Sequence, residues 1–149
     1  MDYRMANKDD VELFVNNRIE FVTSISNIED IGDFENKTRQ YLYEHIEKDD
    51  LIIFLAAKDG NIVASCMACL YEIAPLRGCL SGKTAELLNV YTRSEYRRKG
   101  HAKTLLNLLI QEAKKRGVEK ILLDYTDDGF WLYKKLGFTL LERQMILKL

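Results

Sequence analysis

The feature that most constrains this chain is a basic loop placed between a predicted strand and the clearest predicted helix. The loop contains Arg97-Arg98-Lys99-Gly100-His101-Ala102 and follows the β-rich segment Glu86–Thr92. Apolar side chains then recur at spacings of three, four and seven residues, which predicts a helix over about 100–116, and Gly117 follows as its C-terminal cap. The order strand, loop, helix predicts an α/β unit with the loop at the N-terminal end of the helix.

This loop has the properties of an anion-binding site. The first N–H groups of a helix have no partner within it, and the helix dipole adds positive charge there, so phosphate groups bind at such ends. Gly100 allows a ligand to approach the backbone closely, and the small Ala102 leaves room beside the first turn. Five basic residues and one acidic residue lie between Arg93 and Lys103. The segment therefore predicts a site of diphosphate size, with a solvated basic loop as the alternative.

The remaining elements place this unit in a mixed sheet. The patterns predict strands at Tyr3–Ala6, Leu51–Ala57, Ile62–Ile73 and Lys120–Tyr125, helices over about 9–23 and 29–47, a short helix ending at Leu136, and one or two closing strands within Phe138–Leu149. Asp59-Gly60-Asn61 predicts a hairpin turn, and Thr126 or Asp127 is expected to cap the short helix. We expect an α/β or α+β sandwich, with residues 1–149 as one domain.

Composition and charge argue against several classes of protein. The 22 basic and 23 acidic side chains give a net charge of −1, which disfavours nucleic-acid binding and membrane-surface binding. No stretch approaches the roughly 18 apolar residues of a membrane span, and the N-terminus has no secretory pattern. Cys66, Cys69 and Cys79 are expected as reduced, mostly buried side chains in a cytoplasmic protein, with zinc or redox chemistry at Cys66 and Cys69 as the weaker alternative.

The net charge hides an asymmetry between the two parts of the chain. Residues 1–50 carry 13 acidic and 6 basic side chains, whereas the remainder carries an excess of basic ones. The first part would therefore attract a cationic partner and the second part an anionic ligand. The alternative is that both sets of charges are simply solvated faces.

Two motifs resemble those of the GNAT N-acetyltransferase superfamily. The loop Arg97-Arg98-Lys99-Gly100-His101-Ala102 resembles the family sequence (Arg/Gln)-x-x-Gly-x-(Gly/Ala), and it also follows a strand and opens an apolar helix. Trp131-Leu132-Tyr133-Lys134-Lys135-Leu136-Gly137-Phe138 resembles the second family signature, Tyr-x-x-x-Gly-Phe. The resemblance covers about 85–140. It implies a mixed, mostly antiparallel seven-stranded sheet flanked by about four helices, with acetyl-CoA bound where two central strands separate.

The resemblance also implies which residues bind acetyl-CoA. Those expected at the CoA pyrophosphate are the loop and first helical residues Arg97, Arg98, Lys99, Gly100, His101, Ala102 and Lys103. Those expected along the pantetheine arm are Val90, Tyr91 and Thr92, with the N–H of Val90 polarising the thioester carbonyl. Asp127 stands where family members often have an asparagine that holds pantetheine, and an ionised aspartate can accept but not donate there. The His101 imidazole is expected at the surface, with a pH-sensitive contact to CoA as the alternative.

The implied reaction is direct attack of an amine on the thioester, with no metal. Only about one in 2,500 lysine-like amines is neutral at pH 7, so a base would assist. Glu86 is the candidate base, with Glu72 and Glu20 as competitors and a water chain as another route. Tyr133 is the candidate acid that protonates the departing thiolate. Its alternative role is that of an aromatic side chain on the buried face of a helix.

The acceptor carries no motif of its own. We expect a small amine such as an amino acid, a polyamine or an amino sugar. The alternatives are a protein N-terminus or lysine, which would need an open groove between the first helices and loop 74–84, and a non-catalytic acyl-CoA-binding module. The resemblance also allows a homodimer, because family members often pair through C-terminal strands.

Overall fold

Five strands form one sheet in chain order, with four helices packed on its two faces. The computed structural model describes residues 1–149. The strands are β1 (Asp2–Met5), β2 (Leu51–Lys58), β3 (Asn61–Glu72), β4 (Lys83–Thr92) and β5 (Lys120–Leu123). The helices are α1 (Val11–Ile25), α2 (Ile31–His45), α3 (His101–Lys115) and α4 (Phe130–Lys135), with single 3₁₀ turns at Lys8–Asp10 and Ser94–Tyr96.

The pairing of β4 with β5 is the one parallel pair of the sheet. Strands β1 to β4 pair antiparallel with their neighbours, and α3 then crosses over so that β5 runs parallel to β4. The parallel ladder is short, because it joins only Thr84–Leu87 to Lys120–Leu123. Beyond Leu87 the edge of β4 that faces away from β3 has no strand partner.

Each face of the sheet has its own apolar core. On one face, α3 packs Leu105, Leu106 and Leu109 into a cluster with side chains of β2, β3 and β4, including Cys66. On the other face, α1 and α2 cover a second cluster that includes Phe14 and Met67 as well as other side chains of β2 and β3. The spacing of these apolar residues explains why α3 and α1 form where the sequence predicts them.

The three cysteines form no disulfide bond with one another. Cys66 and Cys79 are buried and Cys69 is partly buried. Burial raises the pKa of the Cys66 thiol to about 12. A thiol with so high a pKa behaves as a small hydrophobic group at neutral pH.

The sheet differs from the expected seven strands at its C-terminal end. The predicted closing strands within Phe138–Leu149 are absent, and after Phe138 no backbone group forms a ladder hydrogen bond. Arg143 has a φ of 68°, which breaks the extended conformation a strand needs. The predicted side-chain cap of α4 is also wrong, since that helix begins after Gly129 with no side-chain cap, and the carbonyl of Thr126 accepts from the main chain instead.

A β-bulge shapes the middle of β4. Met67 pairs with Asn89 and Ala68 pairs with Leu87, so Leu88 is an extra residue opposite β3. Because directly paired residues share a face of the sheet, Asn89 lies on the face covered by α1 and α2. No helix of the chain combines the length and the apolar character that a membrane span requires.

A buried carboxylate ties the N-terminal strand to the turn before α1. Asp10 is 5% exposed and accepts two hydrogen bonds from the Arg4 guanidinium, at 2.6 and 2.7 Å, and one from the main-chain N–H of Asn7. The hydrogen bonds from Arg4 are the main reason that the pKa of Asp10 is lowered. Its folded pKa is therefore below its unfolded pKa, and its stabilisation is lost as the pH falls through the folded value.

We expect Asp10→Asn to lower the free energy of unfolding by about 1.5–3 kcal/mol at pH 7, because charged hydrogen bonds are lost. The exposed neighbour Asp9 supplies the control, and Asp9→Asn should change stability by less than about 0.5 kcal/mol. Urea unfolding at pH 7 and below about pH 4 measures the effect. The difference between wild type and Asp10→Asn should shrink at the lower pH, and an equal difference at both pH values would contradict this account.

Candidate active site

The first turn of α3 presents a row of unused main-chain donors. The N–H groups of the six residues from Arg98 to Lys103 donate to no group of the protein, and the first paired one is that of Thr104, which donates to the carbonyl of Gly100 at 3.0 Å. Arg98 and Gly100 both have a left-handed φ, of 59° and 84°, so the chain turns tightly into the helix. The donors lie at the positive end of the helix dipole, an arrangement suited to a phosphate group.

The loop is less positive than its composition indicates. Arg93 donates to both carboxylate oxygens of Glu20, at 2.8 and 3.0 Å, which neutralises one of its five cations. Arg97 and Lys99 each donate to a main-chain carbonyl nearby. The same ion pair bears on catalysis, because Glu20, a competitor for the role of base, is already engaged by a guanidinium.

The side chain of His101 is buried, so the prediction of an imidazole at the surface is wrong. The residue is 8% exposed, and its Nδ1 lies 2.6 Å from the hydroxyl oxygen of Tyr3 in β1. The ring of Tyr96 packs beside it, with ring centroids 6.4 Å apart. The imidazole therefore links the start of α3 to the far edge of the sheet. No local sequence pattern could have identified Tyr3 as its partner.

The open edge of β4 lies directly before this loop. Val90, Tyr91 and Thr92 pair with Cys66, Ser65 and Ala64 of β3 on one side, and β5 ends before it reaches them on the other. The N–H of Arg93 donates to Val63 in β3 at 3.0 Å. Since alternate residues of a strand direct their N–H groups to opposite edges, those of Val90 and Thr92 point to the open edge, where an extended ligand can pair with them.

Glu86 and Tyr133 line one cavity of about 570 Å³ between β5, α4 and the segment after Phe138. Glu86 accepts a hydrogen bond from the hydroxyl of Tyr71 at 3.3 Å. The hydroxyl of Tyr133 makes no hydrogen bond within the protein, and burial raises the pKa of Tyr133 to about 12. Tyr133 therefore keeps its proton at neutral pH, and the structure brings the predicted acid and the predicted base to the same cavity.

Gly129 is a residue of this site that the sequence analysis missed. A Cβ added there would lie 2.7 Å from Cε2 of Tyr133, so only glycine permits the ring of Tyr133 to lie where it does. Phe138 fixes the ring from another side, in an edge-to-face contact with centroids 5.7 Å apart. The sequence signal that could have identified Gly129 is its position four residues, about one helical turn, before Tyr133 of the second motif.

Two other predicted site residues lie outside this cavity. Asp127 is exposed, does not line the cavity and does not cap α4. Glu72 lies at the exposed end of β3 and lines a different depression. The structure therefore favours Glu86 over Glu72 for contact with a ligand near Tyr133. No group of three or more His, Cys, Asp or Glu side chains is arranged to hold a metal ion.

The fold is shared with several solved acetyltransferases. One is an acetyltransferase from Clostridium acetobutylicum solved with acetyl-CoA, with a TM-score of 0.85 and 25% identity over 99% of this chain and 95% of that one. A second is the aminoglycoside N-acetyltransferase AAC(6')-Iy with a bisubstrate analogue, with a TM-score of 0.77 and 20% identity over 99% of this chain and 96% of that one. A third is a ribosomal-protein-alanine N-acetyltransferase from Brucella melitensis, with a TM-score of 0.72 and 16% identity over 100% of both chains.

Sequence comparison gives the family. No match was found among curated proteins. A sequence profile described as the Acetyltransferase (GNAT) family matches residues 19–138, which run from the second half of α1 to just past α4 and contain both motifs. This match covers most of the chain and agrees with the four helices, the mixed sheet and the free donors at the start of α3. The chain therefore belongs to the GNAT family of acetyltransferases.

Proposed function

We propose that this protein, acting as a single domain over residues 1–149, transfers the acetyl group of acetyl-CoA to a primary amine of a small acceptor. The observation that carries the proposal is the row of free N–H groups at the start of α3 together with the open edge of β4 that precedes it in the chain. An anionic diphosphate fits the first feature and an extended amide-bearing arm fits the second. Acetyl-CoA carries both groups on one molecule, and the relative from Clostridium acetobutylicum was solved with it.

The cofactor would lie along these two features in order. The pyrophosphate accepts hydrogen bonds from the N–H groups of Arg98 to Lys103, and the pantetheine arm pairs with the open edge at Val90–Thr92. The N–H of Val90, which points to the open edge, then donates to the thioester carbonyl. This hydrogen bond strengthens as the carbonyl oxygen gains negative charge in the transition state. Loss of one such donor can cost about 2.7–4 kcal/mol of transition-state stabilisation.

The acceptor amine attacks the thioester carbon in a ternary complex. The new C–N bond forms, the C–S bond breaks, and the thiolate leaves with a proton from the Tyr133 hydroxyl. Glu86 accepts the proton that the amine loses, directly or through water. The pKa of Tyr133, about 12, means that its hydroxyl carries a proton at neutral pH, and the shared cavity supports the pairing of the two residues.

The size of the cavity favours a small acceptor. At about 570 Å³ it lies within the usual range of roughly 300–1,000 Å³ for small-molecule sites. The structural relatives act on an aminoglycoside in one case and on a ribosomal protein in another. Thiol release from acetyl-CoA across a panel of amines, together with acetylation of peptide pools, separates these acceptors. Binding of acetyl-CoA without transfer to any acceptor would instead indicate a non-catalytic acyl-CoA-binding module.

Gly100→Ala should weaken acetyl-CoA binding by about tenfold or more, because an L-residue at this left-handed φ distorts the donor row. Gly60→Ala, in the β2–β3 turn, is the matched control. Gly60 also has a positive φ, of 76° against 84°, and a Cβ added at either glycine meets no atom within 4 Å. Calorimetry should show both variants losing similar stability and only Gly100→Ala losing affinity. Equal acetyl-CoA affinities for the two variants would contradict the placement of the pyrophosphate.

Tyr133→Phe should lower kcat by about 10²-fold with little change in acetyl-CoA affinity, because the proton donor is lost. Gly129→Ala should lower kcat in the same direction, because its Cβ displaces the Tyr133 ring. Wild-type kcat should show no loss from Tyr133 ionisation below about pH 10, since its pKa is about two units higher. Steady-state kinetics, with Tyr43→Phe on α2 as control, measure these effects. Unchanged turnover in Tyr133→Phe removes this residue from the mechanism.

Glu86→Gln should remove the lower ionisation from the pH profile of kcat/KM and lower its plateau by about 10²-fold, because glutamine accepts no proton. The ionisation of the amine itself should remain. Glu72→Gln and Glu20→Gln are the matched controls, and neither should alter the profile. If Glu86→Gln keeps the wild-type pH profile and one of the two control variants loses the lower ionisation, the base is the carboxylate that was replaced in that control. Loss in none of the three would assign the proton to water.

A further inference from the structure

One partly buried arginine lacks a carboxylate partner. The other four partly buried arginines each lie within 3.3 Å of a carboxylate oxygen, and these are Arg4, Arg39, Arg93 and Arg116. Arg18, on α1, has no carboxylate within salt-bridge distance. Burying a charge without a counter-charge costs free energy. Arg18 therefore lacks the negative group that would stabilise its guanidinium.

The contacts of Arg18 are all to neutral groups. One terminal nitrogen donates to Oδ1 of Asn89 at 3.2 Å and lies 3.5 Å from the carbonyl of Leu88. The guanidinium carbon lies 5.8 Å from the centre of the Phe34 ring. Its Nε and its second terminal nitrogen donate to no protein group, which leaves two donors of the fork free. Burial lowers the pKa of Arg18, which agrees with a cation that no carboxylate compensates.

Arg18 lies near the candidate base on one face of the sheet. Asn89, which it contacts, and Glu86 pair with Met67 and Cys69 of β3, and those two residues face α1 and α2. Burial raises the pKa of the Cys69 thiol, and the charges of Arg18 and Glu86 modify that pKa in opposite directions. The charges of Arg18 and Glu86 therefore both act on the Cys69 thiol. The two residues lie on the same face of the sheet, on either side of the bulge of β4.

The carboxylates near Arg18 do not neutralise its charge. Glu20, two residues after Arg18 on α1, is held by Arg93. Asp50, which also acts on the Cys69 thiol, contacts His45 at 2.8 Å. Many acidic side chains in residues 1–50 are likewise paired within the protein. The acidic composition of this part of the chain is therefore a weak argument for a cationic acceptor.

We propose that Arg18 binds an anionic group, a carboxylate or a phosphate, carried by the amine acceptor, while the amine lies at Glu86. The two free donors of Arg18 match the paired oxygens of either anion. The acceptor class is thus a compact molecule with a primary amine at one end and an oxyanion at the other. This inference rests on the proposed acetyl transfer, and its test reads binding separately from transfer.

The test compares amines that differ only in the anionic group. The carboxylate pair is alanine and ethylamine, and the phosphate pair is O-phosphoethanolamine and ethanolamine. Calorimetry measures the affinity of each amine for the protein, alone and saturated with CoA, and thiol release from acetyl-CoA measures transfer. The variants are Arg18→Met, which keeps the apolar stem, Arg18→Lys, which keeps the charge but loses the fork, and the control Arg39→Met on α2.

Wild type should bind the anionic member of at least one pair about tenfold or more tightly than its neutral twin, and the preferred pair identifies the anion. Arg18→Met should abolish the preference, Arg18→Lys should retain part of it, and Arg39→Met should keep it. Equal binding of both twins by wild type overturns the inference, as does a preference that survives in Arg18→Met. Absence of CoA binding, or of transfer to any amine of the wider panel, would instead refute the proposed function, and the affinities for the protein alone would still decide the role of Arg18.

Discussion

The site depends on main-chain polar groups that the fold leaves without partners. The ladder between β4 and β5 ends at Leu87, and the N–H groups from Arg98 to Lys103 precede the first hydrogen bond of α3. Unpaired donors are unfavourable once they are removed from water, so the fold keeps them at an open edge where a ligand can complete them. The short β5 leaves the donors of β4 free, and the donors at the start of α3 follow the left-handed Gly100 and Arg98.

On the face of the sheet covered by α1 and α2, polar side chains join α1 to the strands within an otherwise apolar interface. Asn17 of α1, Ser65 of β3 and Asn89 of β4 are buried and joined by hydrogen bonds of 2.6 and 2.9 Å. This network lies beside the bulge at Leu88 and fixes α1 against β4. Arg18 is the next residue along α1, so the same network fixes the position of the unpaired guanidinium.

Local features were predicted well from the sequence, and long-range ones were not. The helix beginning near Gly100 and the position of Tyr133 follow from spacing and motif, because both involve residues close together in the chain. The burial of His101 could not be predicted, since its partner Tyr3 is 98 residues away. One or two closing strands were predicted within Phe138–Leu149, but the left-handed φ of Arg143 interrupts the extended conformation there.

By itself the sequence determined the family and the free donors at the start of α3, because a helix closes its hydrogen bonds over four residues and its first turn lacks partners wherever it forms. Only the tertiary structure decided which charges remain available. Glu20 and Arg93 are 73 residues apart and neutralise each other, whereas Glu86 reaches the cavity of Tyr133 and Arg18 meets only neutral groups. Composition counts these charges equally, but the packing of α1 on the sheet decides which of them find partners.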